Sequence, residues 1–179
     1  MESTTIGHFG QSMGIGYPVR LLLVPADRLA VVMPSTPSAW EISGYDIELQ
    51  PETVCTHLKF RPKQCSFSEG FSRTPDGGVV SSVIETRLTA PDGLLMAWLM
   101  TASLVRWVAI VQLQDESGWL VGTPELPLVL TWSKVTGTPN DVRISLNGQN
   151  WLPAVAMKEL NFETLGEGEF SIDFDLSFH

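Results

Sequence analysis

The chain has 179 residues, a formal net charge of −9, 44% apolar residues and 17% charged residues. That length fits one domain able to bury about two thirds of its unfolded surface, and the acidic balance argues against a protein that reads nucleic acid, which needs a basic face to displace counterions from phosphate. Charged residues fall below the usual share of about 25%, and the extra neutral surface favours contact with other protein.

Residues 1–16 carry Gly7, Gly10, Gly14 and Gly16 with little periodic burial, the pattern of a flexible N-terminal arm. From Tyr17 onward, residues 17–179 read as a single β-rich domain. The run between Pro18 and Pro25 is a buried strand, and a second apolar run ends at Pro34; residues 35–43, rich in proline and small side chains, read as a loop with Trp40 as an anchor. Residues 45–50 and 53–60 follow as strands. The second of these alternates, with Val54, Thr56, Leu58 and Phe60 on one face and Cys55, His57, Lys59 and Arg61 on the other. If the strand continues, Lys59, Arg61 and Lys63 share a face, with a solvated strand edge as the simplest meaning.

Residues 65–89 form a long hairpin around Pro75-Asp76-Gly77-Gly78, whose glycines supply the positive φ such a turn needs. Its register is open. A three-residue loop sets Phe71 opposite Val83 but Glu69 opposite Glu85, whereas a two-residue loop avoids that charge clash and loses the apolar pair. A hairpin this rich in Ser, Thr and Gly specifies its own burial weakly, so completion by a partner is the expectation.

Asp92 is an N-cap for a helix over residues 92–104, where Leu95, Trp98, Leu99 and Ala102 fall at i, i+3, i+4 and i+7. Residues 107–148 then read as four short strands joined by Asp, Ser, Gly, Pro and Asn turns. At the C-terminal end, residues 169–179 alternate cleanly: Phe170, Ile172, Phe174, Leu176 and Phe178 against Ser171, Asp173, Asp175, Ser177 and His179. This acidic strand either closes the domain's own sheet or is lent to a neighbour, and the acids from Glu159 onward could seek a basic patch on a neighbour. The fold class expected from these elements is mainly β (α+β): an antiparallel sandwich or barrel with one packed helix and a long hairpin.

The search for chemistry yields no catalytic, cofactor-binding or metal-binding residues. His8, His57 and His179 lack metal-ligand spacing, and the expectation is a non-enzyme without cofactor. Cys55 and Cys65 are too few for a disulfide scaffold and read as reduced and structural; a thiolate served by His57 as base is the nearest enzymatic alternative. Gly14-Ile15-Gly16 precedes a strand rather than linking strand to helix, so it is no dinucleotide loop. Glu169, Asp173 and Asp175 could be imagined as paired carboxylates or calcium ligands, but outward charge on an amphipathic strand serves solubility by default. Nothing at the start reads as a signal peptide, and residues 94–111, the nearest thing to a membrane span, are cut by Thr101, Ser103 and Arg106. A cytoplasmic protein without membrane contact is expected. Six tryptophans remain. Trp98 and Trp107 suit the core, while Trp119 and Trp151, near turns, suit subunit contact or the platform of a β-sandwich carbohydrate- or peptide-binding module.

Within residues 107–148, a strand, the turn Asp115-Glu116-Ser117-Gly118 and the run WLVGTPELPLVL are followed by Leu146-Asn147-Gly148. This order, with Leu120, Val121, Gly122, Thr123, Pro124, Pro127 and Leu128 as matching residues, resembles a segment of small hypothetical proteins of Mu-like prophages and related mobile elements of Bacteroidetes. The hairpin at 65–89 and the helix at 92–104 occur in the same order, so the resemblance covers residues 50–150. It implies a phage structural component with a plan similar to the tail-tube fold, made in the bacterial cytoplasm and carried into the virion. Such subunits form rings whose hairpins line a lumen, and an acidic wall does not hold back passing DNA. The implied partners are the chain itself, as a homo-oligomer, and other phage structural proteins. The Gly-rich arm, the acidic C-terminal strand and the Lys59, Arg61, Lys63 run depart from that pattern and leave a neck, terminator or accessory role open. The expected assembly contacts are Phe71, Val83, Trp119, Trp151, Phe174 and Phe178.

Overall fold

A computed structural model describes residues 16–31, 33–34, 40–75, 77–137, 140–158 and 169–172. Residues 1–15 of the expected arm and residues 173–179 of the expected C-terminal strand, Phe174 and Phe178 among them, lie outside the described residues. Thirteen described strands and one α-helix follow in order. They are β1 (Pro18–Pro25), β2 (Leu29–Val31), β3 (Glu41–Ser43), β4 (Ile47–Leu49), β5 (Cys55–Lys59), β6 (Cys65–Thr74) and β7 (Gly77–Thr89). After these come α1 (Gly93–Ala102), β8 (Arg106–Leu113), β9 (Gly118–Val121), β10 (Leu128–Val135), β11 (Asp141–Asn150), β12 (Val155–Lys158) and β13 (Glu169–Ile172).

The main sheet branches at β8. One edge of β8 pairs with β1 from Leu113 to Trp107, while the other is shared: Arg106 and Trp107 pair with the start of β10, and Ala109 to Gln112 pair with β9. One branch therefore runs β13-β5-β1-β8-β9-β12-β3 and the other β10-β11-β7-β6, with β2 and β4 forming a separate ribbon. Most pairings are antiparallel; β12 with β3 and β13 with β5 are parallel. Among the described strands no barrel closes, and the architecture is a mainly β, sandwich-like α+β fold.

Two apolar clusters explain the branching. Leu21, Leu23, Leu58, Ala109 and Val111 of the first branch pack against Leu130, Val142, Ile144, Ile84 and Leu88 of the second, with Leu95, Leu99 and Ala102 of α1 closing the same cluster. On the opposite face of the first branch, Leu22, Val24, Val108 and Ile110 pack under the β2/β4 ribbon and β3. β1 and β8 are thus buried on both faces, and this is why their sequences are continuous apolar runs rather than alternations. Each fully buried Leu or Ile here is worth about 1.5–3 kcal/mol.

The helix begins where expected. The Asp92 carboxylate accepts a hydrogen bond from Leu95 N at 2.8 Å, satisfying one of the backbone donors that a helix start leaves free. Trp107 anchors the helix end by donating from Nε1 to the carbonyl of Ala102 at 2.8 Å.

Several expectations change. Residues 41–43 of the expected loop form β3, and the apolar run Val155–Met157 forms β12, which the sequence reading passed over. Cys55, placed on a polar face, is fully buried in the second cluster, because β5 lies beneath a covering layer on that side as well. The Lys59, Arg61, Lys63 alternation is not one strand: β5 ends at Lys59, and Lys63 sits in a turn with φ +74°. The hairpin register is also decided. Thr74 pairs with Gly77, so residues 75 and 76 alone connect the strands; Phe71 faces Val80 rather than Val83, and Glu69 faces Ser82. The charge clash is avoided, and Phe67–Ile84 and Phe71–Val80 replace the apolar pair considered from sequence.

Candidate interaction surfaces

The far end of the hairpin gathers the first surface. Phe71, Val80 and Asn150 stand in register across β6, β7 and β11, so Trp151 and Leu152, which follow Asn150, lie at the same end of the sheet as Phe71. Phe71 is 72% exposed, Trp151 63% and Leu152 44%. The Phe71 ring covers Gly78, where an added Cβ would meet its Cε2 at 2.5 Å, an aromatic-over-glycine contact that holds the ring against the hairpin. Glu69 ties the parts together: its carboxylate accepts from Ser82 Oγ at 2.6 Å and from Ala154 N at 3.0 Å.

Of the other expected contacts, the two that are described, Val83 and Trp119, are not brought to this end. Val83 lies on the outer face of β7, in a shallow groove with Pro127, Val129 and Asn147. Trp119 is half-buried and packs on the edge of the first cluster, because β9 is held between β8 and β12.

A second surface was missed from sequence. The buried side of α1 is the expected one, but Leu94 is 76% exposed and Met100 63%, and Leu104 just past the helix is 85% exposed. An open groove of about 540 Å³ runs beside them, lined mainly by apolar atoms of Val54, Ala97, Trp98, Val105 and Trp107. The signal was present in GLLMAWLMTA, which offers no charged residue for an outer face; a helix apolar all round is normally covered on all sides.

The third surface is cationic. Lys59, Arg61 and Arg87 line a cavity of about 190 Å³, and Lys63, Arg87 and Arg143 line an adjoining one of about 300 Å³. Five of the chain's 11 Lys and Arg residues therefore meet where the β5–β6 turn passes the outer face of β7 and β11. Arg87 and Arg143 are direct cross-strand partners, a like-charge pairing that is unfavourable by itself. Asp141, 1% exposed, offsets it through an ion pair with Arg87.

Chemistry at the thiols is suppressed. Burial pushes the Cys55 thiol up to about 11 and the Cys65 thiol up to about 12, so neither supplies a thiolate near neutral pH. Cys55 and His57 do share a face of β5, while Cys65 belongs to the other cluster. Among the described residues, no group of three or more His, Cys, Asp and Glu is placed to hold a metal ion, and no helix is long and apolar enough to cross a membrane. The side chain of Glu169, and Asp173 and Asp175, lie outside what is described.

The segment that carries the resemblance is a folding device. Gly122 adopts φ +80°, and Thr123 and Leu126 close a turn by Thr123 N to Leu126 O at 3.2 Å and Leu126 N to Thr123 Oγ1 at 3.1 Å. The Leu128 side chain then packs against both Gly122 and Gly148. The preceding turn is held by Asp115, whose carboxyl accepts from Ser117 Oγ at 2.6 Å and is held below its usual range by that bond.

Fold and surfaces together define a β-sandwich-like protein with open edges and exposed apolar faces. Comparison with protein-family models, curated proteins and solved structures returns no match.

Proposed function

We propose that the protein is a non-enzymatic building block of a phage or prophage particle, tail-tube-like or a neck or tail accessory, that assembles with copies of itself into a ring or multimer. The observation that carries the reading is the hairpin. β6 is ten residues long and, among the described strands, pairs only with β7, so its outer edge offers backbone donors and acceptors to a further strand. Beside it, Phe71, Trp151 and Leu152 present apolar surface of the kind that is desolvated at subunit contacts. The bare outer side of α1 supports the same reading, as does a net charge of −9 on a wall past which DNA slides. Other phage structural proteins are the natural further partners, without specific nucleic-acid readout.

Light scattering on the purified chain from low to high micromolar concentration tests this. A multimer that Phe71→Glu with Trp151→Glu converts to monomer is the expected result; a strictly monomeric wild type overturns it. The exposure of Trp151 also favours a second reading, a carbohydrate- or peptide-binding module. It predicts quenching of Trp151 fluorescence by a glycan or peptide panel, and a flat response removes it.

A further inference from the structure

We infer that the outer edge of β6 pairs antiparallel with the same edge of a second copy of this chain, about a two-fold axis at Phe71, so that Phe71 faces the partner's Phe71 and Glu69 faces the partner's Arg73. This contact rests on the self-assembly proposed above and gives it a surface and a register. Sheet edges are ordinarily protected by short length, proline, lysine or a bulge. β6 has none of these: it is ten residues long, contains no proline or lysine, and stays in register with β7 from Cys65 to Thr74. Cys65 is buried and Phe67 packs partly against the main cluster, but from Ser68 to Thr74 every residue is exposed. The half of the strand around Phe71 is therefore open along its edge and on both faces.

Backbone geometry limits the registers such a pair can take. Thr74 and Gly77 flank a two-residue loop, and the pair that closes such a hairpin exchanges both of its backbone hydrogen bonds. Alternation along the ladder then turns the N–H and C=O of Ser72, Gly70 and Ser68 toward β7 as well, and those of Arg73, Phe71, Glu69 and Phe67 toward the open edge. Two copies bond only where outward groups meet outward groups. A two-fold axis at Glu69 sets that carboxylate against its own copy, an unfavourable like-charge pairing. An axis at Gly70 sets Glu69 against Phe71 and Phe67 against Arg73, and an axis at Ser72 carries Glu69 past the end of the partner strand; both leave the carboxylate without a cation. With the axis at Phe71, the two rings face each other and each Glu69 faces an Arg73, giving one aromatic pair and two opposite-charge pairs. Glu69 is already oriented for this, since its bonds from Ser82 Oγ and Ala154 N fix the carboxylate on the face it shares with Phe71 and Arg73. On the other face, an added Cβ at Gly70 meets nothing within 4 Å, so no neighbouring group obstructs a second strand. An isologous contact closes at two copies, and a larger multimer is built from such pairs through other surfaces.

Cysteine cross-linking of the full chain reads the register, and light scattering reads the mass. Opposed residues of a hydrogen-bonded antiparallel pair lie about 5.5 Å apart at Cα, within disulfide reach, and only a residue on the axis faces itself. Phe71→Cys is therefore expected to give a disulfide-linked dimer under mild oxidation about tenfold faster than Gly70→Cys or Ser72→Cys. The native Cys55 and Cys65 are buried, so the wild type is expected not to link. Arg73→Glu sets carboxylates against each other at both ends of the contact and is expected to weaken the dimer about tenfold at low salt, less as salt rises. In the wild type, the amides of Glu69, Phe71 and Arg73 are expected to exchange more slowly as concentration rises, while those of Gly70 and Ser72, already bonded to β7, change little. A multimer whose mass survives Arg73→Glu, and in which residue 71 links no faster than residues 70 and 72, leaves self-assembly standing and overturns this contact. A wild type that stays monomeric at high micromolar concentration overturns both.

Discussion

Gly148→Ala is the sharpest probe of how the Leu128 side chain locks β10 against β11. A Cβ at residue 148 lies 2.5 Å from Leu128 Cδ2 and 3.7 Å from Leu128 Cα. Carbon atoms settle at about 3.5–4.0 Å, so the leucine has to withdraw by about 1 Å. Leu128 is 1% exposed within the main cluster, and its other flank already touches the Gly122 backbone position; there is little room to yield. Overpacking of this kind costs about 1–3 kcal/mol, offset by about 0.5–1 kcal/mol because alanine is a better strand residue than glycine. A net loss of about 1–2 kcal/mol is expected in urea unfolding. The double-mutant cycle makes the cause visible. Leu128→Ala alone opens a cavity and costs about 2–5 kcal/mol, but in that background the clash is gone, and Gly148→Ala is neutral or stabilising. The coupling energy between residues 128 and 148 is therefore about 1 kcal/mol or more. Additivity within about 0.5 kcal/mol refutes the packing argument, and Gly70→Ala, where an added Cβ meets nothing within 4 Å, serves as the neutral control.

Three further outcomes follow from the same structure. Asp92→Ala removes the side-chain cap on Leu95 N and lowers stability by about 1 kcal/mol, seen as a melting shift of about 2–4 °C. Arg87→Ala leaves the buried Asp141 carboxylate without its cation and destabilises by about 2–4 kcal/mol in urea unfolding; adding Asp141→Ala recovers part of that loss, because no buried charge is then stranded. The thiols of Cys55 and Cys65, raised to about 11 and about 12, ionise more readily in the unfolded chain. Stability contributed by their neutral forms is complete below pH 9 and falls as pH rises toward 11–12, by up to about 1.4 kcal/mol per unit for each thiol. A thiol reagent at pH 8 accordingly labels neither cysteine until denaturant is added.

Local pattern was enough to read most of the elements, β3 and β12 excepted. The prolines that bound β1, the Asp92 cap, the Gly-rich turn of the hairpin and the four strands after Trp107 each leave a signature within a few residues. Exposure was harder. The sequence put Phe71 and Trp151 forward as contacts and the structure leaves both bare, yet it also offered Val83 and Trp119, which sit on an outer groove and on the core edge. The outer side of α1 went unread because a run such as GLLMAWLMTA announces burial without saying how much of the helix finds cover.

What the sequence by itself determined is the class of fold, the strand and helix content and the acidic, cysteine-poor chemistry, since periodicity, turn residues and composition act over short range. What only the tertiary structure decided is the branching of the sheet at β8, the hairpin register and the meeting of Lys59, Arg61, Lys63, Arg87 and Arg143 around the β5–β6 turn. The physical reason is the same in each case. A strand carries no local mark of its partner, and only the burial of two apolar clusters on opposite faces of β1 and β8 selects which edges pair and which charges are left facing one another.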